Sequence, residues 1–296
     1  MQRIGYYTFR GAVWMFSLIP FWLMYRLADI VYFFLYYVVP YRKEVVMTNL
    51  KNSFPEKIDS ERIRIAKASY RNMADILLET IKGFSISKAE VKKRFVFTNP
   101  ELINNLTEYN GSVIFMTAHY ANWEWCALSF SLFMDAKIVG IYKPLSNKFI
   151  DQYVLGERTK FGIELMDMNR IKWAFKKAIL PKCGFTFVSD QTTSSKQTHW
   201  LKFLHQDTAC PRGADKYAHL TNLPVYFLDM DRVKRGYYTV RFELLCQKPA
   251  EVPEGAITKI FMDRLEQKLI KKPDNWLWSH KRWKLKKEEG VGLWIN

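Results

Sequence analysis

The chain has 296 residues, enough to bury a full core in one large domain or two small ones. With 49% apolar and 25% charged residues and only 13 Gly and 11 Pro, the composition excludes disorder over any long stretch. Net charge is +16 and ten residues are Trp, a balance that suits nucleic acid, an anionic membrane surface or an acidic protein partner; charge alone does not choose among them.

The first 40 residues narrow the choice. From Gly11 to Pro40 the chain is apolar and aromatic, broken only by Pro20, Arg26 and Asp29. No short apolar core with a small-residue cleavage site is present, so the segment is expected to stay on the protein as a membrane anchor rather than be removed as a signal peptide. An Arg or Asp at a bilayer centre costs about 2.5–3.5 kcal/mol, and neither apolar half alone reaches the ~20 residues needed to span. Arg26 and Asp29 share a helical face and are candidates to pair. One tilted helix and two segments lying in the interface both fit this pattern, and the Trp and Tyr content suits the headgroup level either way. Basic residues flank the segment on both sides, so it carries no clear orientation, although the remaining positive charge belongs on the cytoplasmic side.

Residues 41–84 read as a helical lead-in, interrupted at Pro55, with Asp59 or Ser60 capping a helix that runs from 61 to about 82 and ends at Gly83. From residue 110 strands and helices alternate. Strands are expected at 112–117, 137–142, 184–189, 223–230 and 237–244, with helices near 146–161, 169–180, 212–222 and 255–271. This implies an α/β fold with a mixed, mostly parallel sheet flanked by helices, preceded by the hydrophobic membrane-anchoring helical segment. The simplest division is residues 1–40 as anchor and 41–296 as one catalytic unit, whose α/β core is 110–296. The four cysteines stand far apart without a CxxC pair, which argues against a zinc site and a disulfide framework and for reduced structural thiols.

The candidate chemistry follows the first buried strand, in TAHYANWEW. Ligands of open α/β sheets bind beyond the carboxyl ends of strands, where His119 stands. Glu124 would reach it if His119 sits in the turn and Glu124 in the first turn of a helix capped near Asn122; Glu124 could then hydrogen-bond one ring nitrogen and leave the other free to take a proton. Asp190 ends another strand and faces the same cleft.

Several blocks of the sequence resemble the late acyltransferases of lipid A biosynthesis, within the wider lysophospholipid acyltransferase group that shares an H-x4-D/E motif. The lead-in carries the R-x6-N-L…FP pattern at Arg42, Asn49, Leu50, Phe54 and Pro55, and TAHYANWE matches the catalytic motif at His119 and Glu124. YKPLSN with Arg158 and Gly162, then VSDQ at 188–191, resemble the next blocks. The tail PDNWLWSHKRWK is similar to the family's W-x-H-R-R-[FW]-K ending, except that Lys281 replaces the usual Arg. The resemblance implies transfer of an acyl chain from a thioester, on acyl carrier protein or coenzyme A, to a hydroxyl of a lipid A precursor at the cytoplasmic face of a bacterial inner membrane. His119 would be the general base, Glu124 its partner, and Arg158 a phosphate clamp; Asp190, a candidate substrate-site residue, would orient Arg158 or simply cap the turn that follows it. Lys281 and Arg282 would present their charges to lipid phosphates. No cofactor and no nucleic-acid partner are expected. The chain lacks G-x-S-x-G, in keeping with direct transfer without an acyl-enzyme. The alternatives are an acyltransferase for another bacterial acceptor, such as an aminolipid or phospholipid, and more distantly a membrane scaffold or nucleic-acid-binding protein without catalysis.

Overall fold

In the computed structural model of the chain, which describes residues 2–104, 111–142, 144–168, 170–171, 175, 182–192 and 198–287, prolines punctuate the apolar N-terminus. Helix α1 (Gln2–Ser17) stops before Pro20, which precedes α2 (Phe21–Phe33); α2 continues as a π-helical turn, Phe34–Val38, and breaks at Pro40. Proline costs least at a helix start because its missing N–H would have no partner there. The stretch Phe21–Val38 is long and apolar enough to cross a membrane by length and composition, and 22% of it is buried.

Two helices follow, α3 (Lys43–Ser53) and α4 (Asp59–Gly83). The start of α4 differs from the expected Asp59 or Ser60 cap: Ile58 precedes the helix, and its backbone N–H is satisfied by the Glu61 carboxylate at 3.2 Å. Along α4, Lys67, Arg71, Asp75 and Glu79 recur every four residues and so share one face, which α2 covers in antiparallel fashion. Lys67 lies over the rings of Tyr36 and Tyr37, Arg71 over Tyr32, and Glu79 accepts from the Tyr25 hydroxyl at 2.7 Å. Lys82 closes the row by donating at 2.7 Å to the carbonyls of Ser17 and Ile19, past the end of α1. Asp29 does not pair with Arg26, which faces solvent. Its partner is Arg235 at 2.7 Å, and Arg235 also grips Asp75.

The sheet has seven strands in the order β1-β9-β8-β2-β5-β3-β4. They are β1 (Phe95–Phe97), β2 (Val113–Thr117), β3 (Lys137–Tyr142), β4 (Glu164–Asp167), β5 (Cys183–Val188), β8 (Val225–Lys234) and β9 (Tyr237–Cys246); β6 (His199–Phe203) and β7 (Gln206–Cys210) form a separate hairpin. All pairings in the large sheet are parallel except β8 with β9. The mixed, mostly parallel sheet expected from the sequence is therefore present, with β2 at its centre and every residue of β2 buried. The chain reaches β2 through the short helices α5 (Lys88–Arg94) and α6 (Glu101–Asn104), and α7 (Trp123–Phe130) follows it. Phe115, Phe130, Phe97 and Phe242 stack with ring centroids 4.9–5.5 Å apart, locking α7 onto the sheet. Gly184 makes room for this cluster, because a Cβ there would lie 2.6 Å from the Phe115 ring.

Helix α8 (Lys148–Thr159) and the helices Gly213–Thr221 and Ala256–Lys271 agree with the expected ones to within a few residues. The helix expected near 169–180 falls almost entirely outside the described residues. Strands β1, β4, β6 and β7 were not anticipated. The β6–β7 turn shows why: it is made by Leu204 and His205, both at positive φ (47° and 66°), without the Gly or Asn that marks such a turn in sequence.

Candidate active site

Thr117 and Val188 are register partners at the carboxyl ends of adjacent parallel strands, and His119 and Asp190 each lie two residues further on. This shared step brings together two residues 71 apart in the chain. The Asp190 Oδ1 stands 2.7 Å from His119 Nδ1, while its Oδ2 accepts from the His119 backbone N–H at 3.0 Å and from the Trp276 indole at 2.8 Å. Three donors on a carboxylate that is 1% exposed fix it as an ion, so Nδ1 carries the ring proton and Nε2 is left with its lone pair.

Burial disfavours the imidazolium, but the Asp190 charge and hydrogen bond outweigh it, with Glu124 adding a smaller push, and His119 titrates above its ordinary 6.5. Burial likewise opposes the Asp190 carboxylate; the His119 charge and the three hydrogen bonds prevail and hold it below its usual range. His280, in the same tail as Trp276, is pushed down by burial to about 4 and stays neutral at physiological pH.

The sequence had given His119 a different partner. Asn122 does cap α7, accepting from the Trp125 N–H at 2.8 Å, and Glu124 does stand in the first turn. But Glu124 is held by Arg158 of α8, in bonds of 2.8, 2.9 and 3.1 Å, and reaches His119 only through space. Helical geometry explains this: the first-turn side chain points outward toward α8, whereas β5 runs directly beside the histidine. The side-chain bonds of Asp190 go to His119 and Trp276, while Arg158 is oriented by Glu124 instead.

A cavity of about 220 Å³ opens beside His119, Glu124 and Arg158. Its walls are apolar and come from the sheet face and α7, among them Phe130, Gly140, Ile141, Ile163, Leu165 and Val188. Charged groups at the mouth and an apolar interior suit a ligand with a polar head and a hydrocarbon tail.

The C-terminal tail builds the other side. Trp276 bridges to Tyr120 as a single antiparallel pair, Leu277 N–H donates to the His119 carbonyl at 3.2 Å, and Ala121 N–H donates to the Asn275 carbonyl at 2.9 Å. Ala121, at φ 53°, makes the turn that these bonds hold. The tail is seated in turn by Asn49 and Asn72 from α3 and α4. Arg282 is not presented to lipid as expected: it is 1% exposed, donating to the Ala209 carbonyl at 2.7 Å and lying 3.3 Å from the Cys210 sulfur. Its guanidinium is thus engaged at the end of β7 and ties the tail to the hairpin. Lys281 faces solvent.

Sequence reasoning missed Glu79. Wholly buried, it accepts from Asn122 at 2.7 Å, Tyr238 at 2.6 Å and Tyr25, and its backbone carbonyl accepts from the Trp125 indole at 2.8 Å. It supports the start of α7 from below; an acidic residue within an apolar stretch, at i+4 spacing from Asp75, was the available signal.

A sequence profile of the bacterial lipid A biosynthesis acyltransferases matches residues 2–285. The chain is 21% identical over 282 residues to the lipid A biosynthesis lauroyltransferase of Escherichia coli (strain K12), covering 94% of this chain and 90% of that one. It is 19% identical over 256 residues to the lipid A biosynthesis palmitoleoyltransferase of the same strain, covering 86% and 82%. The Shigella flexneri lipid A biosynthesis acyltransferase matches to the same extent. A histidine and carboxylate at adjacent strand ends, an apolar cavity beside them and a profile match over nearly the whole length lead to one assignment: the chain belongs to the bacterial lipid A biosynthesis acyltransferase family.

Proposed function

We propose that the chain moves a fatty acyl group from a thioester, carried by acyl carrier protein, onto a hydroxyl of a lipid A precursor, at the cytoplasmic face of the inner membrane. The observation that carries this reading is the His119–Asp190 pair at the mouth of an apolar cavity. His119 Nε2 removes the hydroxyl proton as the oxygen attacks the thioester carbonyl, and Asp190 steadies the imidazolium that forms. Collapse of the tetrahedral intermediate expels the thiolate, which takes the proton from the His119 imidazolium and leaves as the thiol. The acyl tail occupies the cavity. Arg158, held by Glu124, turns its remaining N–H groups toward a phosphate of the acceptor or of the carrier's prosthetic arm, with Lys281 as a further phosphate contact. The thioester is a co-substrate and the chemistry calls for no cofactor.

The test is acyl transfer in detergent by wild type and His119→Ala, given acyl-carrier and coenzyme A thioesters and a lipid A precursor. Transfer by wild type with a loss of about a hundredfold or more in the variant is the expected result, in line with the contribution of a general base. Transfer only to an aminolipid or phospholipid would replace the acceptor, and equal rates for both proteins would remove His119 from the chemistry.

A further inference from the structure

One face of the apolar N-terminus is exposed, and the other is committed to the catalytic unit. The covered face of α2 is stitched to the catalytic unit at successive levels: Tyr25 to Glu79, Asp29 to Arg235, and Tyr32 beneath Arg71. Gly236, at the tip of the β8–β9 turn (φ 76°), approaches so closely that a Cβ would lie 2.0 Å from the Tyr25 hydroxyl oxygen. α1 is bound likewise, with Phe9 packed on Tyr153 and Phe84 and Lys82 holding its end. A bilayer-spanning α2 would have to take α4 with it, and α4 carries nine charged residues within its 25. Alternatively it would leave α4, stranding Asp29 in hydrocarbon without Arg235 and taking the Tyr25 hydroxyl away from Glu79.

The free face has a different chemistry. Trp14, Leu18, Trp22, Ile30, Phe33 and Phe34 are each more than half exposed, forming an aromatic and aliphatic stripe across both helices. At its end stand Lys43, Lys67 and Arg71, stacked on Tyr36, Tyr37 and Tyr32 and, among the described residues, without a carboxylate partner. Apolar surface bordered by aromatics and cations is complementary to one leaflet of an anionic bilayer.

We infer that α1 and α2 lie in the plane of the cytoplasmic leaflet and do not cross the membrane, so that both ends of the chain are on the same side. This rests on the membrane-bound reading above and gives it a geometry. α1 packs on Phe149 and Tyr153 of α8, the helix that carries Arg158, so the lipid surface borders the mouth of the cavity and the acceptor need not leave the leaflet to reach His119.

The test uses full-length protein in bacterial inner membrane and exploits the burial of all four native cysteines. Gly5→Cys, in open space on α1, and Lys271→Cys, on an exposed position of the catalytic unit, are treated with a membrane-impermeant maleimide in spheroplasts and in inverted vesicles. Both are expected to label only in inverted vesicles. A nitroxide on Ile30→Cys reports depth and is expected in the outer part of one leaflet. Labelling of Gly5→Cys from the opposite side, or a nitroxide at the bilayer centre, overturns the in-plane arrangement. If Gly5→Cys is shielded on both sides, the nitroxide depth decides. Acyl transfer measured in the same vesicles separates the two ideas: activity with opposite-side labelling sinks only the topology, and same-side labelling without activity sinks only the reaction.

Discussion

Both oxygens of Asp190 are engaged. Its Oδ2 serves two N–H groups that can only donate, the His119 backbone and the Trp276 indole, while Oδ1 serves Nδ1. In Asp190→Asn the amide oxygen is therefore required at the Oδ2 position, and its NH₂ faces Nδ1. That arrangement makes Nδ1 an acceptor and protonates Nε2, the wrong tautomer for a base. A fall in kcat of about a hundredfold is expected within the range of general-base effects. The pH profile gives a second reading. Wild-type kcat/KM should lose activity on the acid side through a value above 6.5, because a raised pKa keeps His119 protonated further up the scale. In Asp190→Asn burial is the main influence left, and the acid limb should move down. An unmoved limb would mean that another group sets it.

Glu79 gives a contrasting pair of variants. Asn122 can only donate to it, whereas the Tyr25 hydroxyl can also accept. Glu79→Gln can keep its oxygen toward Asn122 and turn its amide to Tyr25, so a Tm near that of wild type is expected. Glu79→Ala leaves several buried donors unsatisfied at about 1–3 kcal/mol each and should lower Tm by many degrees. Burial raises the Glu79 pKa above its ordinary 4.5, so its protonation stabilises the fold fully below that value and the benefit is lost as pH rises through the folded-state pKa. Glu79→Gln has no such proton to lose and should gain on wild type toward alkaline pH; equal melting of the Ala and Gln variants at every pH would contradict this account.

At the scale of elements, the most informative strand is β3. Gly140 lines the cavity opposite Leu165 and Thr186, and a Cβ there would come within 3.0 Å of the Leu165 side chain. A Leu at this position adds bulk to the cavity wall beside Ile163 and Leu165. Gly140→Leu should favour shorter acyl donors, with kcat/KM for long chains dropping at least tenfold while that for short chains is retained, since each buried methylene contributes ~0.8 kcal/mol. Competition between donors of different length measures this directly, and an unchanged preference would place the acyl chain elsewhere. The strands that build the cavity were unequally legible. β2, β3 and β5 announced themselves as continuous apolar runs, whereas β4, only four residues long, lacks a period that propensity can register.

Across the whole molecule, legibility followed distance along the chain. His119, the Asn122 cap and the buried strand before them lie within one short segment, and local rules sufficed. The partner of His119 comes from 71 residues away and the clamp on its loop from the C-terminus, so sheet order had to be known first. Nearness in sequence favoured Glu124, which belongs to Arg158. For the same reason Arg26 looked like the match for Asp29, although the hairpin tip at Arg235 provides it. The tail read as a lipid-facing basic patch because Arg282 is charged; it is internal, and its role is to brace the hairpin and the histidine loop.

That brace has a meaning for biosynthesis. The ribosome delivers the chain from its N-terminus, helices and sheet first. Until Asn275, Trp276 and Leu277 emerge, Ala121 lacks its acceptor, the His119 carbonyl its donor, and Asp190 one of its three hydrogen bonds. The nascent protein thus carries His119, Glu124, Arg158 and Asp190 long before they are held in place, and a message broken just ahead of codon 275 is expected to encode an inert product. Completion of translation is itself the step that arms the enzyme.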